Sequence, residues 1–454
     1  MLFKRYESQG LAHYSYLIAD QGKATVIDPR RDIDVYLQDA AQGGYQIERV
    51  LETHRNEDYV VGSVEIAAAT GAIIYHADGQ WEYEYGRAVE DGQEWQVGRL
   101  KIRAIHTPGH TPGSMSYLLH DPEGHPWIVF TGDVLFSGDV GRMDLLGEAR
   151  LAEMAGMMYE SVFDKLLPLG DQVIVCPAHG AGSVCGSEIA ERSWTTIGLE
   201  RQFNPKLQAR TKADFIEQFA QMLERPPYFR KVEQLNLSGA PVIGLIPELR
   251  PLAPDEMVEV SVNQDVQWVD TRDQVSFAAA HLPGSLSIGH QILAGFAGWF
   301  LDPERPVAFV CDPGNREEIV RTMLRMGYDQ LPGYLAGGLV AWTQAGQQVE
   351  SLSLPTAEEL CSLMQSGNAP YLLDVRGENE LTGKGLKRAK RISLTQLPEQ
   401  LASIPKDKPV VTLCRSGRRS MIAASFLKQK GWHDLGVLMG GLEAWKNFDC
   451  EIEL

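Results

Sequence analysis

The chain repeats itself over its C-terminal half, and that repeat limits the folds open to it. LAGGLVAW (335–342) returns as LMGGLEAW (438–445), VDTR (269–272) as LDVR (373–376), and VAFVC (307–311) as VTLC ending at Cys414. The offset is about 103 residues each time, which suits a duplicated domain rather than a solenoid unit. Each copy reads strand, helix, strand, loop, helix, the order of an α/β unit with a parallel sheet. Boundaries at 255–351 and 352–454 follow, and residues 1–245 remain as a further domain with a helical extension.

That first part also alternates strands and helices. ATVID (24–28), ERVLET (48–53), WIVFTGD (127–133) and QVIVCPAH (172–179) suit buried strands, while DIDVYLQDAAQGGY (32–45) has helical spacing and a stop at Gly43-Gly44. In TKADFIEQFAQML (211–223), Thr211 opens a capping-box-like start, and Phe215, Phe219, Met222 and Leu223 fall on one helical face. A hydrophobic content of 44% and a charged content of 22% are those of a soluble globular protein. The formal charge of −18 argues against nucleic acid and acidic membranes as partners, although small anions answer to local fields. No apolar run is long enough for a membrane span, and the N-terminus lacks a signal-peptide core, so a cytoplasmic location is expected. Six cysteines (Cys176, Cys185, Cys311, Cys361, Cys414, Cys450) form no dense framework and read as reduced thiols.

Four segments carry the chemistry of the first domain. T-H-R-N-E-D-Y (53–59), T-P-G-H-T-P-G (107–113), T-G-D-V-L-F (131–136) and C-P-A-H-G (176–180) each place a His or Asp just past a predicted strand. Turns at one end of a sheet bring His54, His110, Asp133 and His179 to one point, with glycines allowing close backbone approach. The other histidines have no such context and are given no role.

These residues resemble the metallo-β-lactamase fold, an αββα sandwich, in its glyoxalase II and persulfide dioxygenase branch. The marker there is T-H-x-H-x-D-H; here Asn56 and Tyr59 stand where two histidines would. A binuclear zinc hydrolase relies on those histidines. His54, His110 and Asp133 survive, the ligand set of one non-haem Fe(II) with open positions, although zinc takes the same set. The resemblance implies that a low-molecular-weight thiol persulfide and O₂ are substrates, with sulfite or thiosulfate as products. Asp58 and His179 would then orient ligands or water, and Arg142 would meet the thiol's carboxylate or else pair with Asp144.

C-R-S-G-R-R-S (414–420) lies between the apolar PVVTL and the helix-forming MIAASFLKQKG. A cysteine at such a turn faces backbone N–H groups and a helix N-terminus, and Arg415, Arg418 and Arg419 add positive charge. Both favour the thiolate. Ser416, Gly417 and Ser420 complete an anion cradle. With GGLEAW downstream, the loop resembles the rhodanese family, which implies that Cys414 carries sulfane sulfur. One departure is ENELTGKGLKRAKRIS (378–393), which lacks the G-H-I-P-G-A-like segment that HLPGSLSIG (281–289) retains. The first copy's loop, C-D-P-G-N-R-E-E (311–318), surrounds Cys311 with acids and removes a donor at Pro313, so that copy is expected to be an inactive spacer. Cys176, Cys185, Cys361 and Cys450 read as packing, with a site-lining role as the alternative for Cys176 and Cys185, which flank His179, and Trp342 and Trp445 read as core anchors. The expected function is persulfide oxidation at one Fe(II) per chain, coupled to sulfur transfer at Cys414. Its rivals are a zinc thioester hydrolase resembling glyoxalase II, and a metal-free scaffold with only Cys414 active. The identity of the thiol, the direction of sulfur flow and homo-oligomerisation stay open.

Overall fold

The structure is a computed structural model describing residues 1–450 except 187, 368, 378, 379, 381–385, 387, 449 and the side chain at 263. Most of segment 378–387, on which the rhodanese departure falls, therefore lies outside the described residues. The chain forms two compact units, Met1–Ile246 with Leu324–Gly327, and Pro247–Met323 with Tyr328–Leu454.

The first unit holds two six-stranded sheets. One runs in the order β1 (Leu2–Ser8), β2 (His13–Asp20), β3 (Lys23–Ile27), β4 (Gln46–Leu51), β5 (Ile73–His76), β6 (Arg87–Ala88). The other contains β7 (Glu94–Val97), β8 (Leu100–His106), β9 (Met115–His120), β10 (Pro126–Gly132), β11 (Ile174–Pro177) and β12 (Thr195–Thr196). The period of two decides the layers. Tyr16 and Ile18 of β2 face inward and pack with Ile102, Tyr117 and Phe130 of the opposite sheet. Leu17 and Ala19 face outward, against Tyr36, Ala40 and Ile66 of two helices. On the other outer face Leu118 and Val129 meet Met154 and Met158 of the helix Glu148–Glu160. This is the αββα sandwich expected.

Local signals explain several boundaries. The helix Asp34–Gly43 ends where Gly44 turns left-handed at φ 68°, its N–H reaching the carbonyls of Ala40 and Ala41. Thr211 and Asp214 form the reciprocal capping box at the start of Lys212–Phe219. That helix is shorter than its pattern suggested, and Met222 is exposed rather than on a buried face. The reason is tertiary: Leu223 N–H donates to Asp144 at 2.7 Å, which draws the chain out of the helix.

In the second unit β13 (Pro251–Leu252), β14 (Gln267–Asp270), β15 (Leu286–Ser287), β16 (Val307–Val310) and β17 (Tyr334–Leu335) make one parallel sheet in the order β13-β17-β16-β14-β15. The second copy contributes β18 (Tyr371–Asp374), β19 (Lys390–Arg391), β20 (Val410–Leu413) and β21 (Leu435–Val437), also parallel. Trp342 and Trp445 are buried in the respective cores, as anchors should be. The expectation of six reduced thiols fails, because Cys361 and Cys450 form a disulfide. Chain folding brings together residues 89 apart in sequence, and no local pattern announces that. Among the described residues no helix is long and apolar enough to cross a membrane.

Candidate metal and cysteine sites

His54 follows β4, His110 follows β8, Asp133 follows β10 and His179 follows β11, so all four stand just beyond strand ends. They converge. Asp133 Oδ2 lies 3.8 Å from His54 Nε2 and 3.6 Å from His110 Nε2, and all three side chains are buried. Donors about 2.0–2.2 Å from one ion stand roughly 3–3.5 Å apart, so the cluster is close to that spacing.

The rings are aimed by neighbours. Thr53 gives its hydroxyl proton to Asp28 at 2.8 Å, so the same oxygen accepts from His54 Nδ1–H at 2.9 Å. His110 Nδ1–H donates to the Arg142 carbonyl at 2.9 Å. Each ring therefore turns Nε2 inward. Gly132, at φ 52°, permits this closeness, since a Cβ there would lie 2.5 Å from Thr53 Oγ1. Asp78 ties two loops together, accepting from Arg55 N–H, Thr111 Oγ1 and Gly113 N–H.

His54 Nε2 and Asp133 Oδ2 are buried with no hydrogen-bond partner, as are both Asp58 oxygens. Unpartnered buried donors and acceptors are costly, and a divalent cation satisfies them. The residues fit such a cation. His179 Nδ1 meets Asp133 Oδ1 at 2.7 Å and its Nε2 stands 2.9 Å from Asp58 Oδ2, off the line for a hydrogen bond. Burial pulls the His179 pKa down, but Asp133 and Asp58 hold it well above its usual value. Burial likewise opposes protonation of His110, yet Glu57 and Asp133 push it up to about 9.

Sequence reasoning missed Glu57. It is fully buried, its Oε2 lies 3.3 Å from His110 Nε2, and it groups with His54 and His110 as metal-ligating atoms within 4.8 Å of one another. Its only signal was an extra acid inside T-H-R-N-E-D-Y. Cys185, read as packing, donates its thiol to Glu57 at 3.4 Å and makes a second such group with Asp58 and His179. Asn56 instead donates to the His54 carbonyl, and the Tyr59 ring lies 3.7 Å from that of His13, tilted by 31°. Arg142 is not free for a substrate carboxylate. It forks onto Asp144 at 2.8 Å and gives its remaining N–H groups to the carbonyls of Val184, Leu223 and Glu224.

In the cysteine loop, Cys414 Sγ accepts from Gly417 N–H at 3.2 Å, Ser420 N–H at 3.5 Å and Ser420 Oγ at 3.2 Å. Gly417 begins the helix Arg418–Gln429 at φ 95°. The GGLEAW motif holds the loop from behind: Leu442 N–H donates to the Cys414 carbonyl and Glu443 N–H to that of Arg415. With those carbonyls turned away, the amides point at sulfur. Arg419 is clasped by Glu380 and Arg415 by Glu443, whereas Arg418 faces a neighbouring cavity. Ser416 makes no bond to the sulfur among those observed. For Cys311, burial first, then Asp312 and Asp270, raise the thiol pKa to about 11 against the pull of Arg316.

Comparison with known proteins agrees with this architecture. The metallo-beta-lactamase superfamily model matches residues 9–179, and the rhodanese-like domain model matches 253–345 and again 356–448. The hydroxyacylglutathione hydrolase GloC of Haemophilus influenzae is 26% identical over 214 residues, which cover 42% of this chain and 91% of that protein. A hydroxyacylglutathione hydrolase of Albidiferax ferrireducens is 30% identical over 222 residues, 44% of this chain and 83% of that protein. The crystal structure of a metallo-beta-lactamase from Staphylococcus aureus superposes with a TM-score of 0.66 at 28% identity, covering 73% of this chain and 98% of that one.

Proposed function

Because the chain belongs to the metallo-beta-lactamase superfamily and continues into two rhodanese-like domains, we propose that it oxidises a low-molecular-weight thiol persulfide to sulfite and thiol, and that Cys414 carries sulfane sulfur. One observation carries the first half. Two inward-turned imidazoles and one carboxylate remain where the motif's other histidines have become Asn56, whose amide nitrogen donates to the His54 carbonyl, and Tyr59, whose ring lies against His13. His54, His110 and Asp133 would hold one Fe(II), which when bound supplies redox capacity and open positions for O₂ and sulfur.

The chain's own residues supply the rest. Thr53 and the Arg142 carbonyl fix the imidazoles, so little reorganisation is needed when a ligand arrives. His179 holds a proton between Asp133 and Asp58, at the edge of the cluster where a leaving thiolate needs one. Burial of the whole group limits competing water. At Cys414 the thiolate attacks the outer sulfur of thiosulfate, the S–S bond breaks, and sulfite leaves with the bonding pair. Three donors to Sγ stabilise the thiolate before that step and the persulfide after it.

A second reading has its own support. The relatives are named hydroxyacylglutathione hydrolases, and Asp58, His179 and Cys185 offer ligand atoms for a second cation. On that reading the first unit hydrolyses a thioester with zinc. Metal analysis and two assays on the full chain separate them. Persulfide oxidation requires one iron per chain and oxygen uptake with glutathione persulfide. Two zinc ions with anaerobic S-lactoylglutathione hydrolysis, and no oxygen uptake, would replace the oxygenase with the hydrolase. Cys414→Ser is expected to bring thiosulfate:cyanide transfer to the buffer rate with metal content unchanged; retained transfer removes Cys414 from its role.

A further inference from the structure

The second compact unit contains a cavity of about 180 Å³ that neither reaction above uses. Loops beyond β14, β15 and β16 reach it, through Arg272, Gln274, His290 and Asp312, and Arg418 of the helix Arg418–Gln429 closes its other side. In open parallel sheets the crevice outside the carboxyl ends of the strands is where ligands bind. The first rhodanese-like copy keeps that crevice although its cysteine loop is rebuilt around acids.

The other charged groups lining the cavity are already engaged, and so is His290. Arg272 forks onto Asp270, with a closest contact of 2.6 Å, and also donates to the Ala280 carbonyl. Asp273 caps the helix Gln274–Ala279 through the amides of Val275 and Ser276. His290 Nδ1 meets Asn315 Nδ2 at 3.1 Å. Two groups are different. The carboxylate of Asp312 and the guanidinium of Arg418 make no hydrogen bond or ion pair with any described residue, nor with each other. Both are solvent-exposed, and Asp312 also feels the Arg272 guanidinium, so an anion and a cation at one cavity are left to a ligand that carries both charges itself.

We propose that this cavity binds the α-amino-acid end of a small thiol, its ammonium on Asp312 and its carboxylate on the Arg418 fork. The guanidinium matches a carboxylate in a planar, two-point contact, and the Asp312 carboxylate accepts from an ammonium. Thiosulfate and sulfite carry no ammonium, and Asp312 disfavours them, so the cavity selects the organic partner of sulfur transfer rather than the inorganic one. Its place agrees with that task. A Cβ built on Gly417 would lie 4.0 Å from Gln274 Nε2, and Gly417 N–H is the amide that meets Cys414 Sγ at 3.2 Å. The first copy, rather than serving only as a spacer, holds the thiol that exchanges sulfur with the second. Its purpose rests on the reading of Cys414 as sulfur carrier, while the binding itself does not.

Titration calorimetry of the full chain with S-methylglutathione tests this, because the blocked thiol cannot react at Cys414. Saturable binding of one molecule per chain that depends on Asp312 is expected, beside any molecule held by the first unit. N-acetyl-S-methylglutathione, which has lost the ammonium, and the Asp312→Asn variant with the parent probe should each bind at least tenfold more weakly. Asp312→Glu, which keeps the charge, should restore most of the affinity. Equal affinity for the two probes, or an unchanged Asp312→Asn, overturns the proposal. A wild-type chain that binds the probe but transfers no sulfur from thiosulfate would refute the role of Cys414 alone.

Discussion

Glu57, Asp58 and Asp133 are three buried carboxylates around one pocket, and the guanidinium of Arg142 nearby is already matched to Asp144. Such charges are tolerated only where something neutralises them, and removing one changes how firmly a cation is held. Glu57→Gln is therefore expected to weaken divalent-metal binding about 10–100-fold, the range seen when groups around a metal site are altered. Competition with a chelator measures this, and an unchanged affinity would remove Glu57 from the site. Cys311 gives a pH prediction. Its thiol pKa is raised to about 11, so below that pH the nucleophilic thiolate is the minor form. Alkylation of its peptide by iodoacetamide should be slow at pH 8 and rise about tenfold per pH unit toward 11. Fast labelling at pH 8 would show that burial, with Asp312 and Asp270 behind it, does not hold the Cys311 thiol protonated. The motif T-H-R-N-E-D-Y displayed His54 and Asp58 in the sequence, whereas the inward aim of Glu57 depends on a turn that no spacing rule describes.

Strand ends place the site, and short motifs hold it. Gly441 has φ 63°, and a Cβ there would come within 2.6 Å of the carbonyl oxygens of Cys414 and Arg415. Those carbonyls accept the N–H groups that turn the cysteine loop toward its own sulfur. Gly441→Ala is expected to cost about 1–3 kcal/mol through the left-handed backbone alone. It should also lower thiosulfate:cyanide transfer while leaving bound metal unchanged; full transfer would mean that the motif only closes the core. At this scale the sequence was readable. The repeat, the stop at Gly43-Gly44 and the capping box at Thr211 are signals in the sequence, and the elements they specify formed. The end of the helix Lys212–Phe219 was not readable, because Asp144, far off in sequence, takes the amide of Leu223.

Across the whole chain, the Cys361–Cys450 disulfide closes a loop of 89 residues around the second rhodanese-like copy. A cross-link of that kind restricts the unfolded chain, and typical bridges contribute about 2–4 kcal/mol. Reduction with dithiothreitol is expected to lower the denaturation midpoint followed through Trp432 and Trp445, both buried in that copy. A midpoint that does not move would mean that the bridge carries no stability. By itself the sequence determined the duplicated α/β domain, the strand-then-ligand order of the first unit and the cysteine loop, because each depends on residues close together in the chain. Only the tertiary structure decided that Glu57 and Cys185 face the histidine cluster, that Arg142 is occupied by Asp144, and that Asp312 and Arg418 share a cavity. The first two depend on which groups meet in a buried, low-dielectric space, where a charge must find its partner, and the last on which loops the fold brings to one exposed cavity.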